Sequence, residues 1–287
     1  MTAFFEGFEL RVVETRAGPI RLRIGGRGPT LLLLHGHPRT HTTWWRVAPL
    51  LAERFTVLCP DLPGFGSSYQ PETLEQSSGR AKAAALEECM RNLGFDAFAV
   101  AGHDRGSYRA FRLAMDFPEK VTKLAVLDGV PIYEALDRAD WQFAKSWWHW
   151  FFFAQSEKAE AAVTGNPDLW YPCDPLKMGA ENASDFLRAT RDPAVVRGML
   201  ADYKAGLEYD YFHDCADLQA SRRLACPLGV FWSVHDDMER LYGDPTRLWR
   251  AWTASGIDAF PINSGHHMAE DAPVELAEKL LQFFSSP

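Results

Sequence analysis

Residues 8 to 13 and 20 to 24 alternate apolar with charged positions, and Arg16-Ala17-Gly18-Pro19 separates the two runs. A period of two puts alternate side chains on opposite faces of a strand, so the pattern predicts an antiparallel hairpin at a sheet edge. Thr30 to Leu34 is continuously apolar and bounded by glycines, the pattern of a strand buried on both faces. Helical spacing follows over Thr42 to Glu53, and Phe55 to Cys59 is a second short apolar run, closed by Pro60-Asp61-Leu62-Pro63-Gly64-Phe65-Gly66. Ala81 to Asn92 is rich in helix formers and stops at Gly94. A strand over Ala97 to Ala101, a helix over Gly106 to Met115 and a strand over Val121 to Leu127 come next.

Repeated strand-helix units predict an α/β protein with a mostly parallel sheet covered by helices. From Pro131 to about Ala225 the strand signal fades into helical segments rich in Trp, Phe, Ala and charge. The expected organisation is therefore a core made of residues 1–130 and 226–287, with 131–225 inserted as a helical cap. The alternation resumes with a strand over Pro227 to Trp232, a helix from Asp244 to Ala254, a strand over Ile257 to Ile262 and a final helix from Ala269 to Phe284.

Composition narrows the function. With 47% hydrophobic and 24% charged residues, the 287-residue chain is that of a globule with a large core. A formal charge of −8 argues against a nucleic acid or an anionic membrane as partner. The five cysteines are widely spaced, with no C-x-x-C pair and no His/Cys cluster at zinc spacing. That fits reduced thiols and no metal, and with no basic, apolar leader at the N-terminus the expected location is the cytoplasm.

The chemistry is concentrated at strand ends. Gly102-His103-Asp104-Arg105-Gly106 lies between a predicted strand and a predicted helix, which is the setting of a G-x-S-x-G nucleophile elbow with Asp in the serine position. A carboxylate there can displace a leaving group from an sp³ carbon and form an ester. Ser264-Gly265-His266-His267 follows the last strand, where an imidazole can activate water against that ester; the Gly-His order favours His266 over His267. Asp128 and Asp236, each after a strand, are alternative partners to orient the imidazole. The backbone N–H of His37, in His35-Gly36-His37-Pro38, pairs with that of Arg105 as a predicted oxyanion site.

Together, His35 to Pro38, Asp61 to Gly66, Gly102 to Gly106, Leu124 to Pro131 and Gly265-His266 resemble the fluoroacetate (haloacetate) dehalogenase branch of the α/β-hydrolases. Trp148-His149-Trp150-Phe151 and Asp202-Tyr203-Lys204-Ala205-Gly206 extend the likeness into the inserted segment. The resemblance implies an α/β-hydrolase fold, with Asp104 as nucleophile, His266 as base and Asp128 as its orienting acid. It further implies that His149, Trp150 and Tyr203 cradle the halide, that no cofactor is needed, and that the protein is a homodimer. The family holds its substrate carboxylate with two arginines, one just after the nucleophile and one three residues on. Arg105 fills the first place, but Tyr108 stands in the second and brings no charge. One lost charge-assisted clamp is worth roughly 1.5–3 kcal/mol. Arg109 points about 100° away on a helix, and Arg39, beside the oxyanion loop, is the one alternative second clamp, although it reads first as a surface salt-bridge residue.

Hydrolytic dehalogenation of a small 2-haloacid by water is thus the leading expectation. An epoxide hydrolase shares the Asp nucleophile and the H-G-x-P loop, and would use Asp236 with cap tyrosines such as Tyr203, Tyr171 or Tyr108. A ligand-binding relative without catalysis would require a decayed nucleophile or base, and both are present.

Overall fold

The computed structural model describes residues 3–286. Eight strands form one sheet: β1 (Phe8–Thr15), β2 (Gly18–Gly26), β3 (Thr30–Leu34), β4 (Thr56–Pro60), β5 (Phe98–His103), β6 (Val121–Leu127), β7 (Leu228–Ser233) and β8 (Ile257–Ile262). Their order is β1-β2-β4-β3-β5-β6-β7-β8. The β1–β2 hairpin is antiparallel and β2 joins β4 antiparallel, whereas every pairing from β4 to β8 is parallel.

The continuous apolar runs become the central strands because helices cover both faces. Within β3, Leu32 and Leu34 pack on one side with Leu58, Val100 and Val126. Leu31 and Leu33 pack on the other with Val57, Ala101 and Leu127. The period of two therefore assigns alternate residues to two separate cores. Three helices position the site: α1 (Gly79–Asn92), capped by Ser78, α2 (Arg105–Asp116), and α3 (Pro273–Ser285) at the C-terminal end. Between β6 and β7 the chain is helical, from Ile132–Asp137 to Tyr211–Gln219, and folds over the C-terminal ends of the central strands.

Several expected helices are shorter or broken. Residues 42 to 53 form a 3-10 turn (His41–Arg46) and a single helical turn (Ala48–Leu51) that has Pro49 in its first positions. The last helix is split, Met268–Asp271 and then Pro273–Ser285, because proline cannot continue the preceding hydrogen-bond ladder. The helix expected over 244 to 254 is confined to Thr246–Trp249, and Met238–Tyr242 forms a turn that the periodicity did not show. Arg39 is a correction: it is buried and makes a two-point pair with Glu270 at 2.9 and 3.0 Å, instead of a surface bridge.

Candidate active site

Asp104 joins β5 to α2 with φ 50° and ψ −119°. A non-glycine residue held in this sparsely populated region is strained, and the strain aims its side chain away from both elements. The turn closes only because its flanks are bare: a Cβ on Gly102 would collide with the carbonyl oxygen of Gly106. Gly36 performs the same service from the opposite loop, since a Cβ there would lie 2.5 Å from that of Asp104.

The two oxygens of Asp104 have different surroundings. Oδ1 accepts the backbone N–H of His37 at 2.6 Å, and the backbone N–H of Arg105 also favours the charged carboxylate. Oδ2 lies 3.8 Å from Nε2 of His266. Burial raises the Asp104 pKa above the usual carboxylate value, against the opposing pull of His266 and the two N–H groups. The His37 N–H thus holds one oxygen and leaves the other facing the imidazole.

His266 lies in the loop after β8, and Nδ1 faces two carboxylates. Asp236 Oδ2 is 3.0 Å away and Asp128 Oδ2 3.4 Å. Asp128, at φ 44° after β6, is locked by the backbone N–H of Ser233 at 2.8 Å and by the Ser233 hydroxyl. Asp236 is part exposed and has the shorter contact. The structure therefore gathers both candidate acids at one nitrogen. Burial lowers the affinity of His266 for a proton, but hydrogen bonds to Asp128 and Asp236, with the charge of Asp104, outweigh it and hold its pKa well above normal.

A cavity of about 270 Å³ opens above these groups, lined by Asp104, Tyr108, Asp128, Trp147, His149, Trp150, Asp236, Asp237 and His266. The expected halide residues are together: the ring of Tyr203 lies 5.8 Å from that of His149 and 6.2 Å from that of Trp150. Burial lowers the His149 pKa to about 4, so its imidazole is neutral near neutral pH. Burial pushes the Tyr203 and Tyr108 hydroxyls well above their ordinary pKa, so both keep their protons. The imidazole of His37 packs among Phe153, Tyr171 and Tyr203, and only its backbone serves Asp104.

Arg105 takes a different position from the one expected. Its guanidinium is fully buried, with Nε on Asp202 Oδ2 at 2.5 Å and Nη2 on the Asp202 carbonyl at 2.9 Å. The rings of Tyr108, Trp150 and Tyr203 lie 4.9, 5.4 and 4.5 Å from its Cζ. Asp202 also accepts Lys82 at 2.5 Å and Arg109 at 2.7 Å, and Arg109 continues to Asp210 at 2.9 Å. This network was not read from sequence, although Asp202 stands inside the Asp-Tyr-Lys-Ala-Gly segment; nothing local marks Lys82, in the first turn of α1, as its partner. Asp237 was missed as well, and it accepts the indole N–H of Trp147 at 2.8 Å.

Two groups among the described residues have metal-ligand atoms close together, His103–Asp128–His266 and His41–Asp61–Asp185. Their carboxylates already accept hydrogen bonds, Asp128 from Ser233 and Asp61 from the His41 and Ser67 backbones.

A mostly parallel sheet flanked by helices, with the sharp Asp104 turn after β5 and a histidine after β8, is the arrangement of an α/β hydrolase, and the chain belongs to that family. Residues 29–166 match the family described as alpha/beta hydrolase fold. Over 98% of its length the chain is 36% identical to a fluoroacetate dehalogenase of Burkholderia sp., covering 95% of that protein. It is 29% identical to a soluble epoxide hydrolase of Corynebacterium sp. strain C12, over 91% of each chain. Among solved structures, Cfl2 of Burkholderia cenocepacia superposes with a TM-score of 0.86 at 28% identity, over 99% of this chain and 98% of that one. No helix among the described residues is long and apolar enough to cross a membrane.

Proposed function

We propose that this hydrolase removes halide from a carbon next to a carbonyl, in a small 2-haloacid or its neutral derivative, through an ester on Asp104. The observation that carries this reading is the division of labour at Asp104, with Oδ1 on the His37 N–H and Oδ2 facing His266 and the cavity. In the first step Oδ2 forms a bond to the carbon as the carbon–halogen bond breaks, and the bonding pair leaves with the halide. His149, Trp150 and Tyr203 surround that departing anion with N–H and O–H groups, which act most strongly where water is excluded.

In the second step water adds to Cγ of Asp104 and gives a proton to Nε2 of His266. The N–H groups of His37 and Arg105 hold the oxyanion, and collapse expels the product alkoxide, which takes the proton back. Asp104 retains the oxygen of water, and the second proton of that water leaves to solvent with the halide. Esterification removes the negative charge nearest Nε2, so the imidazole gives up its own proton more readily when a base is required. Asp128 and Asp236 hold Nδ1 and fix the ring.

The name of the Burkholderia relative supports carbon–halogen chemistry, and the pairing of neutral His149 with Trp150 suits a halide. Epoxide opening is a second reading, favoured by the 3.0 Å contact of Asp236 with His266 and by the protonated hydroxyls of Tyr203 and Tyr108. The test is halide and diol release from chloroacetate, fluoroacetate, chloroacetamide, 2-chloropropionate and styrene oxide, beside an Asp104→Asn control. Halide release lost in the control supports dehalogenation, whereas diol alone moves the assignment to epoxide hydrolysis.

A further inference from the structure

We propose, resting on the displacement reading above, that this site takes a neutral α-halocarbonyl compound, such as a haloacetamide or a haloester, in preference to a haloacid anion. The first observation is the charge of the wall. Four carboxylates, Asp104, Asp128, Asp236 and Asp237, line the reaction cavity against the one protonated ring of His266, and no lysine or arginine among the described residues lines it. Asp237 already feels this crowding: burial first, and then Asp236, raise its pKa. A like charge within a few ångströms in a poorly solvated site is strongly unfavourable.

The second observation is where the arginines have gone. The position that would complete a two-arginine clamp is Tyr108, a buried phenol. Arg105 is committed through Nε and Nη2 to Asp202. Its remaining nitrogen, Nη1, has no hydrogen-bond partner but no exposed surface either, because Tyr108, Trp150 and Tyr203 pack around the guanidinium. The excess positive charge of this cluster, three cations against Asp202 and Asp210, therefore lies beneath the floor and not in the cavity.

Charge balance through the reaction points the same way. With a neutral substrate, the charge lost from Asp104 on esterification reappears on the halide, so the total in the cavity is constant. A substrate carboxylate adds one negative charge to every state. Tyr108 can donate its hydroxyl to an amide or ester carbonyl, but it offers no compensating charge.

The experiment compares kcat/KM for chloroacetamide and chloroacetate, near-isosteric compounds with the same leaving group, each corrected by its rate with free acetate as nucleophile. The wild-type enzyme is expected to prefer the amide on the order of 100-fold, the worth of one charge-assisted contact together with one like-charge contact. Tyr108→Arg is expected to raise the chloroacetate value by roughly 10- to 100-fold and to reduce the preference. If that variant does not fold, Asp237→Asn gives a smaller shift in the same direction. Equal or better corrected use of chloroacetate by the wild type overturns the proposal. Mass spectrometry of His266→Asn separates the two levels: an Asp104 ester formed preferentially from chloroacetate overturns this inference alone, whereas no ester from either compound overturns the displacement reading and the inference with it.

Discussion

The behaviour of single residues here follows from which groups share a charge. In the proposed displacement Asp104 supplies the attacking oxygen, so Asp104→Asn is expected to lower halide release by at least about three orders of magnitude while leaving the thermal transition within a few degrees, as kinetics and calorimetry would show. For His266 the sign is fixed by its neighbours. Burial disfavours its charged form, yet Asp128, Asp236 and Asp104 hold its pKa well above normal. The proposed hydrolysis of the ester needs the neutral ring, so this step is expected to accelerate as pH rises through the His266 pKa. Asp236→Asn removes one carboxylate, lowers that pKa and moves the rising limb to lower pH; a profile unchanged from wild type would contradict a role for Asp236 at Nδ1. Asp128→Asn shifts the limb in the same direction but also disturbs the pair with Ser233, so it is expected to lose stability as well.

At the level of elements, the elbow is the point where sequence and conformation are most tightly coupled. Gly102-His103-Asp104-Arg105-Gly106 was legible because a turn between a strand and a helix at close quarters needs side chains removed, and the structure shows the backbone that a Cβ on Gly102 would strike. Gly102→Ala is expected to destabilise the fold by about 1–3 kcal/mol in urea unfolding and to lower the rate by displacing Asp104. The strands were legible for a similar reason. Burial on both faces leaves an apolar run, and β3 lies where that run lies, Thr30–Leu34. The short helices were not legible, since Pro49 and Pro273 divide periodic stretches that read as continuous.

Across the whole molecule, a buried ion network joins the core to the helical segment over it. Lys82 of α1 and Arg105 and Arg109 of α2 converge on Asp202, which belongs to the helix Pro193–Ala205. Asp202→Asn strips three buried cations of their shared partner, and a loss of about 3–5 kcal/mol is expected in thermal or denaturant unfolding. The Asp202 carboxylate is held well below its usual pKa: burial opposes its ionisation, and Arg105, Arg109 and Lys82 overcome that. A depressed folded-state pKa gives stability that is present above the unfolded value of about 3.9 and is lost as pH falls toward the folded one. The wild-type protein should therefore lose more stability than Asp202→Asn on acidification below about pH 4, which acid unfolding curves of the two would show.

The sequence by itself determined the strand pattern, the elbow around Asp104, the histidine after the last strand and the loop that supplies the His37 N–H. Each of these is encoded within a few neighbouring residues, by a period or by a glycine that geometry demands. The roles of Asp237, Asp202 and Lys82, and the meeting of Asp128 with Asp236 at one nitrogen of His266, were decided only in three dimensions, because charges brought together from distant segments leave no local mark. The same holds for Arg105. Its place beside Asp104 suggested a ligand for a substrate carboxylate, and only the approach of Asp202, 97 residues later in the chain, shows that two of its three guanidinium nitrogens are already engaged.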